Sequence, residues 1–403
     1  MAAKSEKQLA NKEKKVKSEN LFSVVGIGAS AGGLTPFKTL LKAIPKDSGM
    51  AYLFIQHLDP DHESLLPEIL QKETELPVFE ITEECKIEPN HIYVMPSNKI
   101  METSEGKLRL APRPAKGKSK RILPIDLLFS GLAEIYDSLA IGVILSGTAS
   151  DGTKGLKAIK NSGGITFAQD LETADHSGMP ESAIQAGVVD FILPPEKIPK
   201  KLLEVTNIIN APKVLENPPK LDDEEAYRHI VALLRVRKGT DFTYYKQTTI
   251  HRRILRRMAI NKIKKISGYL EYLRENKQEQ DTLYQDFLIP VTSFFRDPKT
   301  FENLSDKIIP QLIKDNPDGK TIRVWVAGCS TGEEAYSLAI LFKELLDTHT
   351  AGNQEIKIQI FASDLSESAI DKARMGTYSE NETAGLSEKR LKRFLQKQMD
   401  VFR

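Results

Sequence analysis

The stretch Gly28-Ala29-Ser30-Ala31-Gly32 sets a serine between small residues at the G-x-S-x-G spacing. That spacing makes a tight strand-to-helix turn that exposes the hydroxyl as a nucleophile. The same stretch also satisfies G-x-G-x-x-A through Gly26, Gly28 and Ala31, a pattern whose chemistry is a pyrophosphate at a helix N-terminus. A serine hydroxyl needs a base to take its proton, and an imidazole base needs a carboxylate to fix its tautomer. His57 ends the apolar run MAYLFIQH, and Asp151 follows LAIGVILSG in the turn TASDG. A dinucleotide site would instead want an acid at the tip of the second strand; Gln56 and His57 stand there, and Asp47 lies before that strand. Taken singly, each feature is ordinary, because Gly-rich turns are common and Asp before Gly is a usual turn residue. Their meeting at three strand ends on one rim is what argues for a Ser30, His57, Asp151 hydrolase. His62 and His91 have no partners at ligand spacing, so no metal site is expected.

A second strand-to-helix turn, Gly328-Cys329-Ser330-Thr331-Gly332-Glu333-Glu334, follows TIRVWVAG. Glu333 and Glu334 would repel a phosphate at that helix start, so a cationic ligand fits better. Asp364, after the run IKIQIFAS, stands where ribose hydroxyls bind in such sheets. S-adenosylmethionine is both cationic and adenosyl; the competing reading is a sheet with capping acids. Between Asp241 and Glu271 there are eight Lys or Arg and no acid inside the interval. Arg252, Arg253, Arg256 and Arg257 recur at helical spacing. A solvated face, an acidic protein surface and nucleic acid all suit such a helix, though no aromatic stacking platform accompanies it.

These residues need elements to hold them. A chain of 403 residues, 40% hydrophobic and 28% charged, holds two or three domains. Its 57 basic and 55 acidic residues nearly cancel, so any useful charge is local. Two cysteines exclude a disulfide framework and suit a reducing cytosol. No run reaches the roughly 18 uninterrupted apolar residues of a membrane span. Residues 1–20, with six Lys and three Glu, read as a disordered basic tail. Apolar runs alternating with amphipathic ones over 21–200 predict an α/β domain with a doubly wound parallel sheet. The proline-punctuated stretch 201–222 reads as a linker. Helical spacing fills 223–297 and predicts a small all-α module. A second α/β sheet then starts over 298–403 with two clear strands, fewer than a doubly wound domain needs, so the last domain is expected to be partial.

The segments VVGIGASAGG, FIQHLDPDHESLLPEIL, HIYVMPSN, VILSGTASDGTKGL and SGMPESAIQAGVVDFILP resemble, in this order, the catalytic domain of chemotaxis protein-glutamate methylesterases of the CheB type. The resemblance implies hydrolysis of glutamyl methyl esters on chemoreceptors, and deamidation of glutamines there, by a Ser-His-Asp triad. Family roles fall on Ser30 as nucleophile, His57 as base and Asp151 as orienting carboxylate, with backbone amides of Ala31 and Thr148 as oxyanion donors. Thr148 replaces a methionine common in the family, and regulation through the family's usual N-terminal receiver domain is not expected.

The segments TIHRRILRRM, LIPVTSFFRDP, VWVAGCSTGEEAYSLA and IFASDLSESAIDKARMGTY are similar to the CheR-type chemoreceptor protein-glutamate O-methyltransferases. The resemblance implies a Rossmann-like fold and S-adenosylmethionine contacts at Thr292, Arg296, Glu334 and Asp364. It also implies a receptor-contacting basic helix carrying Arg252, Arg253, Arg256 and Arg257. Pro290 and Ala335 depart from the family pattern, and the family's later strands are expected beyond Arg403, so methyl transfer by this chain alone is not expected. The sequence thus predicts a cytoplasmic chemotaxis-type signalling chain acting on a methyl-accepting receptor, with neither nucleic acid nor membrane insertion. The competing reading is a non-catalytic receptor-docking or scaffold module.

Overall fold

The computed structural model describes residues 22–56, 65–81, 86–96, 99–104, 107–112, 123–209, 221–288, 291–316, 321–349, 356–379, 382–398 and 401–403. The expected tail over 1–20 and the base His57 lie outside them. The chain divides into two units, one ending at Tyr284 and the other starting at Gln285, and each is taken by itself.

The apolar runs of the first unit form strands β1 (Val24–Ala29), β2 (Ala51–Gln56), β3 (Val78–Glu80) and β4 (Ile92–Val94). A hairpin of β5 (Lys99–Ser104) and β6 (Lys107–Pro112) follows, then β7 (Ala140–Ile144), β8 (Ile165–Gln169) and β9 (Phe191–Leu193). Seven of them make one sheet in the order β3-β4-β2-β1-β7-β8-β9, with every pairing parallel. The helices are α1 (Leu34–Lys42), α2 (Leu66–Gln71), α3 (Pro124–Tyr136), α4 (Thr153–Asn161), α5 (Gly178–Gln185) and α6 (Ile198–Ile209). Phe37, Leu40, Leu70 and Leu202 from α1, α2 and α6 join Val25, Ile27, Phe54, Val143 and Phe167 in one core. Phe129, Leu132, Leu156 and Met179 from α3, α4 and α5 join Val24, Leu53 and Ile144 in the other. Helices on both faces explain why β1, β7 and all of β2 before Gln56 are near-continuous apolar runs rather than alternating. The doubly wound sheet read from the sequence is therefore the observed architecture.

The expected linker over 201–222 is corrected at both ends. Ile198, Leu202, Val205 and Ile209 recur at helical spacing, and their burial in the first core makes α6 a packed helix. At the far end, α7 already begins at Leu221; residues 210–220 lie outside the described ones.

The all-α module consists of α7 (Leu221–Lys238), α8 (Gln247–Ile260), α9 (Ile266–Glu275) and α10 (Lys277–Phe287). The first three belong to the same unit as the sheet. Ala259 of α8 is buried in the first core of the sheet domain. Arg253 donates to Lys160 O and Asn161 O at the end of α4, and Arg256 donates to Gly164 O just before β8. Arg256 also pairs with Asp190, just before β9, while Arg252 pairs with Asp137, just before β7. α8 therefore docks at the amino ends of the strands.

The second unit has α11 (Pro298–Asn303), α12 (Ile309–Lys314), β10 (Ile322–Ala327), α13 (Glu333–His349), β11 (Ile358–Ser363), α14 (Glu367–Met375), β12 (Tyr378–Ser379), α15 (Glu388–Phe394), β13 (Lys397–Gln398) and β14 (Val401–Phe402). β10 and β11 pair in parallel, as the sequence predicts. The small antiparallel sheet β12-β14-β13 carries no sequence signal, because its strands have two residues each. Among the described residues no helix is long and apolar enough to cross a membrane.

Candidate functional site

β1 lies between β2 and β7. The chain leaves β1 to one side and returns on the other, and ligands of open parallel sheets collect at the carboxyl end of such a switch point. Ser30 follows β1 there, and the turn from Leu145 to Gly152 follows β7. Leu145 N donates to Gly28 O at 2.9 Å and Ser30 N to Ser146 O at 3.0 Å, so the two turns are sewn together. Gly32 holds φ +70°, and a Cβ there would come within 2.9 Å of Ser146 Oγ, which is why this serine turn needs glycine.

The glycines of the competing dinucleotide pattern serve packing. A Cβ on Gly26 would lie 2.7 Å from Leu132 Cδ1, and one on Gly28 would lie 2.4 Å from Ile125 Cγ2. Both therefore let α3 approach β1, which accounts for them without a pyrophosphate.

Two polar residues unannounced by any motif hold the crevice. The Ser146 hydroxyl donates to Ala31 O at 3.0 Å and accepts from His176 N at 3.0 Å. Ser146 N donates to Gln169 Oε1 at 2.8 Å, and Gln169 Nε2 reaches Thr173 O at 2.8 Å. Ser146 and Gln169 thus join the turns after β1, β7 and β8. Their only sequence signal is a polar residue at the end of an otherwise apolar strand run.

Asp151 is 1% exposed. Its Oδ2 accepts from Ile125 N at 3.1 Å and its Oδ1 from Asp126 N at 2.9 Å. These are free N–H groups of the first turn of α3, where a carboxylate is favoured. Ala31 N and Thr148 N enter no hydrogen bond among the described residues. The structure thus brings the Ser30 turn against the turn carrying Thr148 and Asp151.

The expected receptor-contacting face of α8 is corrected. Arg253 and Arg256 are 4% and 1% exposed, bound to the carbonyls and the carboxylate named above, and Arg252 pairs with Asp137. Arg257 forks onto Glu279 at 2.9 and 2.6 Å, with Tyr269 donating to the same carboxylate. All four guanidinium groups are engaged within the chain, so in this structure they do not form an open cationic face.

In the second unit, Gly328 N and Cys329 N donate to Ser363 O, and Ser330 N donates to Asp364 Oδ2 at 2.8 Å. Ser366 N donates to Asp364 Oδ1 at 2.8 Å. The tips of β10 and β11 are thereby joined through Asp364. Glu334 is exposed in the first turn of α13. Beside it, Glu333 is buried and accepts from Thr331 Oγ1 at 2.6 Å. The Ser330 hydroxyl is buried and has no hydrogen-bond partner among the described residues. An orphaned hydroxyl beside three carboxylates fits a cationic ligand that offers hydroxyls. Thr292 and Arg296 lie before α11, and Arg296 is exposed with Nη1 on Val291 O; among the described residues no hydrogen bond or ion pair joins them to the Asp364 turn.

A parallel sheet with a serine turn at its switch point and a buried carboxylate on the neighbouring turn defines an α/β domain of hydrolase type. The chain belongs to the CheB methylesterase family, whose sequence model matches residues 25–202, and it continues into the all-alpha domain of CheR methyltransferases over 225–288 and their SAM binding domain over 290–403. An uncharacterized 104.1 kDa protein of Rhodobacter capsulatus is 36% identical over 349 residues, covering 81% of this chain and 36% of that protein. A Leptospira interrogans relative named "Putative protein-glutamate methylesterase/protein-glutamine glutaminase" is 36% identical over 185 residues, 44% of this chain and 91% of that one. The Thermotoga maritima protein-glutamate methylesterase/protein-glutamine glutaminase is 34% identical over 185 residues, 45% of this chain and 54% of that protein. The chain thus spans about a third of the Rhodobacter relative and about half of the Thermotoga one.

Proposed function

We propose that the first α/β domain hydrolyses methyl esters of glutamyl side chains on a chemoreceptor-type protein, with Ser30 as nucleophile. The observation that carries this is the bond from Ser30 N to Ser146 O, which sets the nucleophile turn against the turn bearing Thr148 and Asp151. Ser30 Oγ attacks the ester carbonyl as His57 takes its proton. The oxyanion forms against Ala31 N and Thr148 N, donors with no other bond among the described residues. His57 returns the proton to the departing methoxide, releasing methanol, and Asp151 stabilises the imidazolium in between. Water then attacks the acyl-enzyme with His57 again as base, which frees the glutamate and regenerates Ser30. The same cycle with a glutamine amide releases ammonia.

The test is hydrolysis of a methyl-labelled glutamyl ester on a receptor peptide. Ser30→Ala and Asp151→Asn each abolish the release of methanol if the reading holds, and a Ser30→Ala chain that keeps its full rate overturns it. For the second unit, the SAM binding domain match implies S-adenosylmethionine, whose sulfonium supplies a transferable methyl group when bound. Asp364 and the Ser330 hydroxyl would hold its ribose, and Glu334 would sit near its positive charge.

A further inference from the structure

Behind Asp151 lies a second acid that the proposed cycle does not use. Asp126 is the third residue of α3 and is 7% exposed. Its Oδ1 accepts from Gly155 N, in the first turn of α4, at 2.8 Å. Its Oδ2 is buried and enters no hydrogen bond of normal geometry among the described residues. Its own backbone N–H is one of the donors that hold Asp151. One residue therefore ties together the start of α3, the start of α4 and the Asp151 carboxylate.

A carboxylate at this position would put two negative charges in one dry pocket, with one oxygen left unsolvated, and such pairs do not both ionise readily. Among the described residues, the charged groups facing Asp126 are Asp151 from the turn after β7 and Lys154 from the first turn of α4, and the N–H groups of Gly155 and Gly152 also act on it. Burial first, and then the Asp151 charge, push the Asp126 carboxyl up to about 7, against the weaker pull of Gly155 N–H, Lys154 and Gly152 N–H.

We propose that Asp126 is held as the neutral acid and is the positioning residue that keeps Asp151 the single negative charge behind the catalytic crevice. This rests on the triad reading given above. When Asp126 loses its proton, the two carboxylates repel. Asp151 is then displaced from Ile125 N and Asp126 N, and the base loses its orienting partner. The sequence conceals the residue because an acid in the first turn of PIDLLFSGLAEIY is what any helix start favours.

The experiment compares wild type with Asp126→Asn, which keeps an acceptor for Gly155 N but cannot ionise, and with Asp126→Ala, which removes both features. The wild-type kcat/KM for the glutamyl ester is expected to fall above about pH 7, while that of Asp126→Asn shows no such fall and exceeds wild type by about tenfold near pH 8. Asp126→Ala is expected to lower kcat at every pH with KM little moved. An alkaline fall in Asp126→Asn matching wild type overturns the proposal, as does an Asn variant indistinguishable from the Ala variant.

Thermal melts give a readout independent of the triad. A raised carboxyl contributes stability that is lost as pH climbs from about 4 through about 7. The melting temperature of Asp126→Asn should therefore gain on wild type across that window, and a constant offset overturns the proposal. Ser30→Ala assayed alongside separates the two readings. Full activity in Ser30→Ala removes the triad, while the melts still decide the protonation of Asp126.

Discussion

Arg256 and Asp190 form an ion pair that is almost completely buried, their side chains 1% and 5% exposed, and it fastens α8 of the helical module to the loop before β9. Thr166 N and Oγ1 complete the shell of the carboxylate, each at 3.0 Å from Oδ2, and Lys160 lies 3.6 Å from Oδ1. Burial alone would raise the Asp190 carboxyl, but Arg256 and Lys160 more than offset it and hold it below the usual carboxylate value.

Arg256→Ala strands that carboxylate in the interior and should cost about 3–5 kcal/mol, read from urea unfolding of the full chain. Arg256→Met combined with Asp190→Asn removes both charges while keeping a polar partner for Thr166, and most of the loss should be recovered. The sign with pH follows from the lowered carboxyl. Its contribution is present above the ordinary carboxylate range near pH 4 and disappears as pH falls through the lower folded value. The stability gap between wild type and the doubly substituted chain should therefore narrow in acid.

Gly28→Ala drives a methyl group into Ile125 Cγ2 and should destabilise by about 1–3 kcal/mol. Ile125 N also holds Asp151, so esterase activity should fall together with the melting temperature. Trimming the obstruction with Ile125→Val in the same chain should recover part of both, as measured by melts and ester hydrolysis side by side.

Ser146→Ala leaves His176 N without its acceptor and Ala31 O without its donor, a loss of about 1–3 kcal/mol. Because Ala31 sits beside the nucleophile, the expected kinetic signature is a lowered kcat with a smaller change in KM.

In the second unit, Asp364→Ala removes the acceptor for Ser330 N and Ser366 N. Calorimetric titration with S-adenosylmethionine should show affinity weakened by about tenfold or more, the scale of losing a charged hydrogen-bond acceptor. Ser330→Ala should weaken binding less, and an affinity equal to wild type would show that this hydroxyl faces no ligand.

Ser30 and Asp151 were legible because each motif is local and each follows an apolar run that can only be a buried strand. Gly26 and Gly28 were ambiguous because a missing Cβ serves a phosphate and a packed helix equally well, and only Leu132 and Ile125 decide between them. β3 and β4 escaped periodicity because three residues hold too little alternation to recognise. The partners of the α8 arginines were not legible for a physical reason: spacing reveals a shared face but not what covers it, and a buried guanidinium is spelled like a solvated one. Ser146 and Gln169 were missed because their partners are main-chain atoms far along the sequence.

The docking of α8 bears on how this chain can be taken apart. A cut at the proline-rich stretch before α7 looks natural on paper, yet it would strip Arg256 from Asp190 and Arg253 from the end of α4, uncovering apolar surface that α8 now shields. A fragment ending near Tyr284, where the first unit ends, keeps those contacts. The esterase should therefore be expressed and crystallised with its helical appendage attached, because that appendage is part of its foundation.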